Sequence, residues 1–137
     1  DALDGLEIPH LRRVGSAHRG PEHVLALLRR YDSEDVPTVF ITVAGMSDAL
    51  SGLADAAVSS PVIACPPASG DFSGLDVLSS LRTPPGVAPM VELDPTNAAL
   101  GAAKILGLCD PELRARVGDY QARRAEAVIR SDPGESQ

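Results

Sequence analysis

The residues best suited to chemistry fall in one short run, Gly15-Ser16-Ala17-His18-Arg19-Gly20-Pro21. A hydroxyl, an imidazole and a guanidinium stand within four consecutive positions, just before a proline of the kind that opens helices. A helix start presents free backbone N–H groups. With Ser16 and Arg19 those donors make a corner that suits a phosphate. His18 supplies an imidazole, the side chain best suited to move a proton beside that anion. On the residues alone a second reading stays open, in which His18 only caps the turn.

A second run, Val43-Ala44-Gly45-Met46-Ser47-Asp48, also leaves a strand for a helix. Gly45 permits close backbone approach or a positive φ, and the N–H groups that follow can hold a carboxylate or a carbon dioxide oxygen. Ser47 or Asp48 can equally be an ordinary N-cap, and the two roles are compatible. Cys65-Pro66-Pro67-Ala68-Ser69-Gly70-Asp71 is a stiff loop, its prolines fixing a wall over the same edge. Arg82 stands before a Pro-Gly turn, where a helix C-terminus favours a cation. His10 and His23 have no partner spacing and read as surface residues. Cys65 and Cys109 lie far apart without metal-ligand spacing, so both read as small buried apolar residues rather than a zinc site or a disulfide.

The elements that must position these runs follow from periodicity. Residues 11–14 are apolar at alternate positions and read as a strand. Pro21 and Glu22 then open a helix carrying Val24, Leu25, Leu27 and Leu28, which ends over 31–35. Residues 38–43 are β-branched and nearly continuous in apolar character, as a strand covered on both faces must be. Helix 48–58, strand 61–65, loop 68–73, helix 75–81, strand 88–93 and helix 97–108 follow. A longer helix runs from Pro111 to about Arg130, its Leu113, Val117, Tyr120 and Val128 too sparse for a wide core face. Residues 1–6 read as the last turn of a helix, and 131–137 as a disordered tail. Strands alternating with helices predict right-handed crossovers and a doubly wound parallel sheet, with ligands at the carboxyl ends of its strands.

Composition agrees with one domain of that kind. The 137 residues are 44% hydrophobic but only 3% aromatic, without Trp, so Val, Leu, Ile and Ala must build the core. A net charge of −7 argues against a nucleic-acid partner. No apolar run approaches the roughly 20 residues that span a bilayer, and the start has no signal-peptide pattern, so no membrane partner and a cytoplasmic location are expected.

Taken in order, these motifs resemble a known family. Ser16-Ala17-His18-Arg19 is similar to the Ser-Ala-His-Arg/Lys motif of the PurE family. Cys65-Pro66-Pro67, Asp76-Val77, Ser79-Ser80-Leu81-Arg82, Pro84, Gly86, Pro95 and Asn97-Ala98-Ala99 resemble its class II branch, the 5-aminoimidazole ribonucleotide (AIR) carboxylases. The resemblance runs from about residue 3 to 130. Where class I, the carboxyaminoimidazole ribonucleotide mutases, carries Gly-Gly-Ala-Ala-His-Leu, this chain has Gly45-Met46-Ser47-Asp48-Ala49-Leu50, closer to the Gly-Arg/Lys-Ser-Asn-Ala-Leu of class II.

The resemblance implies a three-layer flavodoxin-like α/β fold with a long C-terminal helix, over residues 1–130. It implies reversible carboxylation of AIR by carbon dioxide in purine biosynthesis, giving 4-carboxy-5-aminoimidazole ribonucleotide without metal or organic cofactor. His18 would be the proton shuttle at carbon 4, Ser16 and Arg19 would meet the ribose phosphate, and Gly45 with Ser47 would hold the carboxylate or carbon dioxide. A homo-oligomer, tetramer or octamer, is expected, its C-terminal helix reaching a neighbour. Three residues depart from the pattern: Met46 replaces a cation, Asp48 replaces Asn and adds a negative charge, and Arg19 stands where class II more often has Lys. The family's opening strand and Gly-Ser-x-Ser-Asp loop are not in this chain. In a 2-1-3-4-5 sheet that strand would separate 11–14 from 38–43, so a piece of a longer protein is expected, with activity belonging to the complete one. The competing expectations are the class I mutase and a non-catalytic PurE-like ligand-binding module; a flavin binder fits less well, since no Trp or Tyr lies near the proposed edge to stack on the ring.

Overall fold

Three short parallel strands form the centre of the computed structural model, which describes residues 2–133. They are β1 (Phe40–Thr42), β2 (Val62–Ala64) and β3 (Met90–Val91), in that spatial order. Phe40, Ile41 and Thr42 stand opposite Val62, Ile63 and Ala64, and Ile63 and Ala64 opposite Met90 and Val91. Around them lie α1 (Ala2–Gly5), α2 (Pro21–Asp32), α3 (Ala49–Ala57), α4 (Leu78–Leu81), α5 (Pro95–Leu106) and α6 (Pro111–Ser131), with a 3-10 segment, Asp71–Val77, before α4.

The layers follow from the two-residue period of β2, all of which is buried. Val62 packs with Val24 and Leu28 of α2 and Ala54 of α3 on one face. Its neighbour Ile63 turns to the other face, against Ala98 and Ala102 of α5. A strand covered on both sides has no solvent face to mark with polar residues, so it reads as an unbroken apolar run. Burying each of these two side chains contributes about 1.5–3 kcal/mol. A third cluster lies outside the sheet, where Leu6, Ile8, Ala103, Leu113 and Val117 join the start of the chain to α5 and α6.

Helix starts are set locally. Asp94 and Asp110 each precede a proline and each accept two backbone N–H groups, from Thr96 and Asn97 and from Glu112 and Leu113. At the other end of α1, Glu7 is left-handed with φ 55°, the Ile8 N–H reaches the Leu3 carbonyl and the Glu7 N–H that of Asp4. This is a Schellman closure with Glu where Gly is usual, and Ile8 and Leu3 supply its apolar contact.

Two expectations are corrected. Residues 11–14 are not a strand, and Leu11 and Val14 are 76% and 86% exposed. Alternating side chains suit a strand, but a ladder needs a neighbour, and among the described residues nothing pairs with the free edge of β1. Cys109 is exposed, because it sits in the corner between α5 and α6; Cys65 is buried as read. Val128 and Ile129 near the end of α6 are exposed, as its sparse pattern requires. No helix among the described residues is long and apolar enough to cross a membrane. Asp1 of the expected first turn and residues 134–137 of the expected tail lie outside the described residues, and Ser131 closes α6.

Candidate active site at the carboxyl edge of the sheet

The His18 turn is held in place from beneath. A Cβ on Gly15 would stand 2.8 Å from Cγ2 of the buried Val24, so only glycine lets the incoming chain lie this close to α2. The Ser16 carbonyl accepts the Gly20 N–H at 2.8 Å and the Ser16 hydroxyl accepts the Arg19 N–H at 3.3 Å. That hydroxyl keeps its proton for a further acceptor. His18 and Arg19 stand exposed on this turn. α2 runs back along the sheet to feed β1, so its first residue lies at the carboxyl edge. Gly20 at its N-cap offers no side-chain cap and Pro21 has no N–H, which leaves the first-turn donors to solvent or an anion. The surroundings favour an anion: residues 10–30 carry five arginines against one glutamate in a chain of net charge −7.

The second run leaves β1 for α3, and its order comes from below as well. Asp48 is the N-cap of α3 and is buried. One carboxylate oxygen accepts the Ser51 N–H at 3.0 Å; the other accepts the hydroxyls of Ser51 at 2.6 Å and Ser80 at 2.7 Å. The Ser51 hydroxyl also lies 2.8 Å from that of Thr42, at the end of β1. The Asp48 N–H donates to the Ser79 hydroxyl at 3.0 Å, and that oxygen is 3.2 Å from the Met46 carbonyl. The left-handed conformation falls on Met46, φ 61°, and not on Gly45. Gly45 serves instead for close approach, since a Cβ there would meet Cγ of Pro67 at 3.4 Å. Ser47 is exposed, and its carbonyl accepts the Ala49 N–H.

Over this loop opens a cleft of about 520 Å³ lined by Met46, Ser47, Asp71, Phe72, Leu75 and Ser79, among others. Phe72, which lines it and is 83% exposed, is the first of three consecutive left-handed residues, Phe72, Ser73 and Gly74. The structure therefore gathers Ser16, His18 and Arg19 into one turn, and Gly45 and Ser47 into a second. Among the described residues no hydrogen bond joins the two turns within the subunit. Arg82 is exposed beyond α4 and lines neither turn. Sequence reasoning raised Asp48 as an N-cap but missed Ser79 and Ser80, partners that lie more than thirty residues away and carry no local signal.

Burial pushes the Cys65 thiol above its ordinary value, and the Asp94 and Glu92 carboxylates add to the effect. That makes it a packing residue rather than a nucleophile. The Asn97 and Thr96 N–H groups hold the Asp94 carboxyl below its ordinary value. Among the described residues no group of three or more His, Cys, Asp or Glu is placed to hold a metal.

The AIR carboxylase family matches residues 1–127 of the sequence. The chain belongs to that family. A phosphoribosylaminoimidazole carboxylase of Treponema denticola is 46% identical over 125 residues, spanning 91% of this chain and 79% of that protein. One of Archaeoglobus fulgidus is 48% identical over 125 residues, spanning 91% of this chain and 68% of the other. The crystal structure of Treponema denticola PurE superposes with a TM-score of 0.95 at 43% identity, covering 99% of this chain and 86% of that one. The fold is accordingly the α/β, flavodoxin-like one expected for a PurE carboxylase, long C-terminal helix included.

Proposed function

We propose that this chain carboxylates 5-aminoimidazole ribonucleotide directly with carbon dioxide, reversibly, with His18 as the proton carrier at carbon 4. AIR carboxylation in purine biosynthesis is the activity of the family to which the chain belongs. The observation that carries the residue assignment is the turn of Ser16, His18 and Arg19 before a helix start that no side chain caps. The ribose phosphate takes the α2 N–H groups, the Ser16 hydroxyl and the Arg19 guanidinium. The electron-rich ring attacks carbon dioxide through carbon 4, and the new carboxylate meets the backbone donors of the Gly45–Ser47 loop. His18 then accepts the proton that leaves carbon 4, and in the reverse direction returns it. Orientation and exclusion of water supply the rest, since the ring itself is the nucleophile.

The carbon dioxide reading, rather than the mutase one, is supported by the Met46-Ser47-Asp48 stretch, which lacks the histidine of the class I loop. The same reading takes residues 1–130 as one domain and the working form as a cytoplasmic homo-oligomer. Its support is apolar surface exposed on the subunit, including Leu11, Val14, Val36 and Val43.

The test is product formation from AIR and bicarbonate, with carbonic anhydrase present to keep carbon dioxide supplied. His18→Asn should lower turnover by about 100-fold or more, as loss of a general acid–base does, while the melting temperature stays unchanged because the side chain is exposed. Full activity in that variant would defeat the assignment of His18. Turnover of the N-carboxylated isomer alone would favour the mutase. Nucleotide binding without any product would favour a non-catalytic module.

A further inference from the structure

We propose that Ser79 is a positioning residue for the carboxylation: its hydroxyl fastens the loop that receives carbon dioxide to α4, and thereby sets where the loop's donors point. The inference rests on the reading of the Gly45–Ser47 loop given above, and adds a residue from a distant stretch of sequence that contacts no substrate there.

Three distances converge on one oxygen. The Ser79 hydroxyl accepts the Asp48 N–H at 3.0 Å, lies 3.2 Å from the Met46 carbonyl and 2.7 Å from the Asp76 carbonyl. It has one proton, so it can serve one of those carbonyls at a time. Given to Asp76, the proton stays within its own helical turn; given to Met46, it ties the exit loop to α4. Met46 is the residue that needs the tie, because it is 76% exposed and left-handed without being glycine. Such a backbone persists only where its surroundings hold it.

The loop's other anchors all lie on the Asp48 side. Asp48 is clamped by Ser51 and Ser80. On the opposite side Gly45 passes close to Pro67, where an added Cβ would come within 3.4 Å of the ring. Ser79 is therefore the polar link that reaches past Asp48 to Met46, between the two residues proposed to meet the carboxyl group. It also lines the cleft beside Met46 and Ser47. A shift of the loop alters the site for carbon dioxide and leaves the phosphate corner, built on α2, as it was.

The test is steady-state kinetics of the whole protein with each substrate varied separately, for Ser79→Ala and Ser79→Thr. Ser79→Ala should raise KM for carbon dioxide by about tenfold, the scale of one hydrogen bond lost, with KM for the nucleotide within about twofold. Ser79→Thr, which keeps the hydroxyl, should restore the wild-type value. Amide exchange at Met46 and Ser47 should quicken in Ser79→Ala and not in Ser79→Thr. A purely structural role would instead lower the rate evenly, through loss of folded protein, and leave both KM values in place. That pattern, or equal KM values for carbon dioxide in wild type and Ser79→Ala, overturns the proposal while the carboxylase reading stands. Absence of carboxylated product from wild type overturns the carboxylase reading, and this inference with it.

Discussion

Asp48 shows how a residue's meaning changes when its partners are known. As a departure from the class II pattern it reads as an added negative charge beside an expected carboxylate. In the structure its carboxylate faces inward and accepts one N–H and two hydroxyls, between 2.6 and 3.0 Å. Removing it costs a helix cap and leaves the buried Ser80 hydroxyl without its acceptor, while the Ser51 hydroxyl keeps that of Thr42 at 2.8 Å. A cap is worth about 1 kcal/mol and one abandoned buried group about 1–3 more, so Asp48→Ala should lower unfolding free energy by about 2–4 kcal/mol in a urea titration. Asp48→Asn keeps an oxygen for the Ser51 N–H, and the hydroxyls can turn to accept from the amide; its loss should stay below about 1 kcal/mol. Equal losses for the two variants would show that the carboxylate charge, not the shape of the network, holds the loop.

At the scale of elements, the ends of α2 and the entry to β2 are joined by a carboxylate staple. Asp32, the last residue of α2, accepts the Ser60 hydroxyl at 2.6 Å, the N–H groups of Ser59 and Ser60 at 3.1 Å, and the Ser59 hydroxyl at 3.3 Å. The Ser60 hydroxyl first, and then the Ser59 N–H, hold its carboxyl below the ordinary value. A carboxyl lowered on folding contributes stability that is present above its unfolded value, about 3.9, and lost as pH falls through the lower folded value. The stability difference between wild type and Asp32→Asn should therefore be flat from neutral pH to about 5 and shrink below about 4, as read by thermal melts at each pH. A difference that does not change with acid would exclude the staple. Neither this contact nor the tie from Asp48 to Ser79 and Ser80 was legible in the sequence, because each joins serines to an aspartate about thirty residues away. What was legible was local: Gly20-Pro21 and Pro111 mark the starts of α2 and α6, and β-branched runs mark β1 and β2, whereas α5 begins at Pro95, two residues before the expected Asn97, because Asp94 caps it. The strands come out shorter than their apolar runs, β3 having two residues, because ladder length depends on the neighbour. The same non-local condition undid the reading of 11–14. Ser16, His18 and Arg19 were legible as a candidate site since one turn carries all three, whereas the left-handed Met46 was not, glycine beside it being the more natural candidate.

Over the whole molecule, charge and apolar exposure pull against each other. Val36 and Val43 flank β1, whose outer edge is unpaired among the described residues, and both are exposed, as are Leu11 and Val14 in the unpaired segment and Phe72 and Leu75 above the cleft. Large exposed apolar side chains of this number favour association, and a bare strand edge adds main-chain donors and acceptors to it. Each copy nevertheless carries a net charge of −7, so copies repel one another before any apolar contact forms. The two effects respond oppositely to salt. Screening shortens the reach of the repulsion to about 8 Å at 0.15 M and about 3 Å at 1 M, while apolar burial is not weakened by it. Sedimentation velocity at fixed protein concentration should therefore show a larger share of oligomer as sodium chloride rises from 0.05 to about 0.5 M, the span over which screening sets in. If ionic pairs between the arginine-rich stretch 10–30 of one copy and acidic surface of another drove assembly, the same titration would instead dissolve the oligomer. A monomer at every salt concentration would remove the homo-oligomer from the proposed function, and would require the exposed His18 turn and the Gly45–Ser47 loop to complete the site within one subunit.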